Sequence, residues 1–105
     1  MTETITNNLQ RLITFFDGAK QGQKNAQPLM VYRTILAQID ALQKQYGRID
    51  VLSKAKAELE ASENVFRTWT NMGYQNNFVL TKRLLQSVAL KIQTFAEGVD
   101  RQVAA

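Results

Sequence analysis

The side chains able to carry covalent or acid–base chemistry are few. The chain has 105 residues and contains neither cysteine nor histidine. That removes disulfides, thiolate nucleophiles, the commonest general base and the commonest transition-metal ligand. Catalysis would fall to carboxylates, lysines or tyrosines. The densest acidic grouping is Glu58, Glu60 and Glu63. Glu60 and Glu63 share a helical face, but it is the face opposite the apolar seam, where water leaves a carboxylate unperturbed. A di-metal carboxylate site needs inward-facing Glu with Glu-x-x-His, and the chain has no histidine to complete one. The stretch "GAKQG", residues 18–22, lacks the preceding strand and the GK[ST] ending of a phosphate-cradling loop. The expectation is a non-enzyme with no metal, no cofactor and no catalytic residue.

The remaining stretch with chemical character is "ENVFRTWTNMGYQNNFVLTKR", residues 63–83. Phe66, Trp69, Tyr74 and Phe78 stand among Arg67, Lys82 and Arg83, which raises base stacking and phosphate binding. The spacing argues otherwise. Phe66 and Trp69 are three apart on a helical seam, whereas the stacking aromatics of the common RNA-binding sheet sit on strands. Lys82 and Arg83 fall on the outer side of the last helix. The stretch therefore reads as a packed corner, with Tyr74 and Phe78 closing the core and a basic flank beside it.

Four helical segments must position these residues. The first runs from about Thr4 to Phe16, with Ile5, Leu9, Leu12 and Phe16 at helical spacing. Thr2 or Thr4 is expected to cap it, and Asp17-Gly18 to stop it. Residues 18–27 form a polar loop, expected to be mobile. Pro28 suits the first turn of a second helix reaching Tyr46, whose seam is Tyr32, Ile35, Ile39, Leu42 and Tyr46. Beyond residue 50 the apolar set becomes Leu52, Ala55, Leu59, Phe66 and Trp69, with Ser62 in the gap. That phase is one residue out of step, about 100° around a helix. A turn at "YGRID" resolves the mismatch, with Gly47 ending the second helix and Asp50 capping a third that reaches Met72. Its outer face offers Lys54/Glu58, Lys56/Glu60 and Glu63/Arg67 as i,i+4 pairs. "GYQNN" turns the chain into a fourth helix, Phe78 to about Ala96, with the seam Thr81, Leu85, Val88, Ile92 and Phe95. Residues 97–105 are expected to fray. One all-α domain follows, an antiparallel four-helix up-down bundle, with helix exchange or completion by a dimer as the alternative.

Function then rests on surface chemistry. Val79 and Leu90 share one side of the last helix, away from its seam; Met30, Val31, Ile13 and Phe15 also lie off the main stripes. Several such residues together suit a partner helix or a second copy. The residues expected to meet a partner are Met30, Tyr74, Val79, Lys82, Arg83 and Leu90. The lead expectation is a protein-binding module of the adaptor, inhibitor, immunity-factor or assembly-chaperone kind. The alternative is nucleic-acid binding by the loop and the last helix, through Lys20, Lys24, Lys82, Arg83 and Lys91. The net charge of +4 and the pI near 9.6 permit it, although the cations are scattered rather than clustered. The N-terminal "MTETITNNLQ" lacks the basic and apolar regions of a signal peptide, no apolar run is long enough to span a membrane, and the lack of cysteine fits the cytoplasm.

Overall fold

The computed structural model describes residues 1–104, and the side chains of all of these except Asn77 and residues 100–104. The described residues form α1 (Thr2–Asp17), α2 (Gln27–Tyr46), α3 (Asp50–Ala61), α4 (Glu63–Asn71) and α5 (Val79–Ala104), with a short 3₁₀ turn at Asn76–Phe78. No strand occurs among them; the one β-type pairing is an isolated parallel bridge between Gln21 and Tyr74.

The helices share one core because each presents the stripe its sequence spells out. Ile5, Leu9, Leu12 and Phe16 from α1 meet Tyr32, Ile35, Ile39 and Leu42 from α2, all buried. Leu52, Ala55 and Leu59 of α3, Phe66 and Trp69 of α4, and Leu85, Val88, Ile92 and Phe95 of α5 complete it. Helix α1 lies against α2 and α5, α3 against α5 and α2, and α4 against α2. A polar cross-link spans each of four of these contacts. Lys82 pairs with Asp17 between α5 and α1 at 2.6 Å, and Lys56 with Asp40 between α3 and α2 at 2.7 Å. Lys91 pairs with Glu58 between α5 and α3, and Asn8 donates to Gln38 between α1 and α2 at 3.2 Å. Partly exposed pairs like these contribute about 0–1 kcal/mol each, yet they penalise a slip of register.

Several local expectations are corrected. The expected third helix is two, α3 and α4, broken at Ser62. Ser62 is buried in the seam, and both its N–H (3.0 Å) and its hydroxyl (2.6 Å) donate to the Leu59 carbonyl. A side-chain hydroxyl that takes the carbonyl competes with the four-residue backbone ladder and tightens the turn. Neither Thr2 nor Thr4 caps α1, which begins after Met1 without a side-chain cap. Asp50 is the first residue of α3 rather than its cap; its carboxylate pairs with Lys54 at 3.0 Å. Of the outer-face pairs expected, Glu63/Arg67 forms, while Glu58 and Lys56 turn to neighbouring helices instead. Ile13 and Val31 are buried, because the stripes of α1 and α2 are wider than a single seam. Helix α5 passes Gly98 without a break and continues to Ala104.

The loop 18–26 is tied to the α4–α5 turn and to the end of α4 by main-chain bonds. Gly22 N–H donates to the Tyr74 carbonyl (2.8 Å), Tyr74 N–H to the Gln23 carbonyl (3.0 Å), and Asn25 N–H to the Trp69 carbonyl (3.2 Å). At the crossing, Gly73 sits at φ +99° against Gly22 at φ +79°. A Cβ on Gly73 would lie 2.3 Å from the Gly22 carbonyl oxygen. Only glycine accepts both that backbone angle and that approach.

Candidate functional site

The crossing brings residues 17–27 and 71–83 to one end of the molecule. Beneath them lies a layer of aromatic rings. Trp69 packs against Phe16 (centroids 5.1 Å) and Tyr74 (5.3 Å), and Tyr74 meets Phe78 edge-on at 5.4 Å. Phe16 also reaches Phe66, which stacks on Tyr32 at 5.3 Å. Such contacts favour tilted and edge-to-face geometry. Phe66, Trp69 and Phe78 are buried and Tyr74 half-buried, so none of these rings offers an open face for a base. Burial, reinforced by Glu63 and Glu60, pushes the Tyr32 hydroxyl up to about 12.

Above this layer the surface combines aliphatic and cationic side chains. Met72, Val79 and Leu80 flank the α4–α5 turn and are 69%, 61% and 70% exposed. Lys20, Lys24 and Arg83 are exposed and join no ion pair among the described residues. Lys82 is half-spent on Asp17, the only carboxylate in these two segments. Four cations against one carboxylate give this end a net +3 of the chain's +4.

The residues expected to meet a partner divide. Val79 and Arg83 belong to this end, with Lys82 at its edge and Tyr74 half under it. Leu90 is 64% exposed farther along α5, and Met30 is 65% exposed beside a shallow groove between α1 and α2 lined by Asn8, Arg11, Val31 and Thr34. Lys91 is drawn off by Glu58 and Ser87 and does not join Lys20 and Lys24. Phe15 is partly buried against the core. Sequence reasoning missed Met72 and Leu80. Met72 was assigned to a helix end and Leu80 to a helix start, and the available signal was their position on either side of a glycine turn.

The acidic residues do not assemble. Glu58 is held by Lys91 and by Ser87 (3.2 Å), Glu63 by Arg67 (3.2 Å), and Glu60 is exposed. Among the described residues no group of three His, Cys, Asp or Glu side chains is placed to hold a metal ion. Nor is any helix long and apolar enough to cross a membrane. The Lys56 ammonium is held above its ordinary pKa by its hydrogen bond to Asp40, which suits a cross-link. Comparison with known proteins finds no matching family model, no similar curated protein and no similar solved structure.

Proposed function

We propose that this chain is a small, non-catalytic helical module that works by binding another protein. The observation that carries this reading is the set of large aliphatic side chains held in water, namely Met72, Val79 and Leu80 at one end with Leu90 along α5. A folded chain gains nothing from exposing them, and exposed aliphatics on a rigid frame suit a partner's apolar face. The frame is taken as an up-down bundle complete in one chain. In support, the 18–27 loop and the α4–α5 turn meet at one end, while the α2–α3 turn at Gly47 lies near Phe95 at the other.

The test is affinity capture with and without nuclease treatment, run beside the variant Val79→Asp/Leu80→Asp and beside the sedimentation mass of the purified chain. The expected result is a protein recovered in stoichiometric amount with the natural chain and lost with the variant, whose circular dichroism is unchanged. Recovery of nucleic acid alone, by a chain that neither self-associates nor retains protein, overturns the reading.

A further inference from the structure

We infer that the partner segment seated on the loop-bearing end is an acidic amphipathic helix, an inference that rests on the protein-binding reading above. Three features of this end point there together. Met72, Val79 and Leu80 supply the apolar contact, all more than half exposed around one turn. Lys20, Lys24 and Arg83 supply positive charge that no carboxylate of the chain consumes among the described residues. The end is also built to hold its shape, since the Gly22–Gly73 crossing and three interloop hydrogen bonds fix the loop against the turn. Rigid aliphatics on the same end as unpaired cations complement a helix with leucine-like residues on one stripe and carboxylates beside it.

The same charge would attract a nucleic acid, but the chemistry favours protein. Single strands are gripped by open aromatic faces and a dense basic track. Here Trp69 and Phe78 are buried at 1% and 3% exposure, and what remains in water is aliphatic. A net +3 also leaves few phosphate contacts to drive salt-dependent binding. A second copy of the chain is the weaker occupant, because two ends of the same charge repel.

The probe is a synthetic helical peptide with leucines at i, i+3, i+4 and i+7 and glutamate at its other positions, labelled for fluorescence anisotropy. Two companions replace every glutamate by glutamine or by lysine, and a labelled oligouridylate serves as the nucleic-acid arm. The glutamate peptide is expected to bind the natural chain, to weaken with added salt, and to outbind the lysine peptide by more than about tenfold, a difference of about 1.4 kcal/mol. Lys20→Glu/Lys24→Glu/Arg83→Glu should reverse the order of the two charged peptides. Val79→Asp/Leu80→Asp should abolish binding of the glutamate peptide. Both variants sit on exposed positions, and unchanged helicity by circular dichroism confirms their fold. Equal, salt-insensitive binding of the glutamate and glutamine peptides overturns the acidic partner and leaves the protein-binding reading standing. Binding of the oligouridylate with no peptide bound overturns both. A dimer in sedimentation that the Val79→Asp/Leu80→Asp variant dissociates assigns the surface to a second copy and overturns the inference.

Discussion

The two ends of the molecule are closed by different means. At the loop-bearing end, main-chain hydrogen bonds and a glycine crossing lock two connections together over the Trp69 layer. At the opposite end the closure is by side chains. Tyr46, 42% exposed, meets Phe95 edge-on at 5.2 Å, and shallow grooves run past Met1, Ile49, Val51 and Val99. Charge differs as well. Residues 1–4, 44–54 and 97–99 carry three acidic and three basic side chains, a balance of zero, against +3 at the loop-bearing end. One end is thus built rigid, charged and unfinished on its surface, and the other is neutral and closed by packing. A device for recognition needs the first combination, since preorganised surfaces lose less entropy on binding.

The largest effect that would sharpen this contrast is on the aromatic layer. Trp69→Ala removes a ring only 1% exposed and is expected to cost about 3–5 kcal/mol in denaturant unfolding. Tyr46→Ala, at the other end and 42% exposed, should cost about 1 kcal/mol. Equal costs would erase the distinction between the ends.

Two glycines give the next comparison. Gly73→Ala drives a Cβ into the Gly22 carbonyl at a positive φ and should destabilise by about 2–4 kcal/mol. Gly98→Ala, inside α5 with open space around it, should instead stabilise by about 0.5–1 kcal/mol. Thermal unfolding of both variants reads the opposite signs directly.

The next response is alkaline and belongs to Tyr32. The unfolded chain releases this proton near 10 and the folded chain near 12. Stability is therefore intact below pH 10 and falls as pH rises towards 12, at about 1.4 kcal/mol per unit from this group. The Lys56 ammonium, also raised, acts in the same direction. Tyr32→Phe should flatten the decline above pH 10, measured by urea midpoints across the series. Smallest is Lys82→Ala, which loses an exposed pair with Asp17 and should change stability by less than about 1 kcal/mol.

Much of the frame was legible in sequence because burial in a helix has a period. The seams of the second and last helices and the slip in phase beyond residue 50 placed Ile35, Leu59, Phe66 and Ile92 in the core, where the structure has them. The inward turn of Phe66 and Trp69 away from Lys82 and Arg83 followed from the same geometry. What was not legible depended on contacts between distant residues. Ser62 could be seen as a polar gap, but not as a hydroxyl that breaks the helix by taking the Leu59 carbonyl. Gly73 read as an ordinary helix stop, because nothing local reveals that Gly22 lies against it. Lys56 and Glu58 had i,i+4 partners in sequence and chose Asp40 and Lys91 across helices. Of the surface at the loop-bearing end, Val79 and Arg83 were singled out from sequence, whereas the exposure of Met72 and Leu80 emerges only once the turn is folded.

On the proposed reading, recognition belongs to the loop-bearing end and not to the molecule's other end or its flank. The direct measurement is a titration of the natural chain with the leucine–glutamate peptide, followed through backbone amide chemical shifts. Perturbations confined to residues 17–27 and 71–83, with Val79, Leu80 and Arg83 among the strongest, are the predicted result. Shifts centred on Tyr46, Phe95 and Val99, or on Met30 and Thr34, would contradict it.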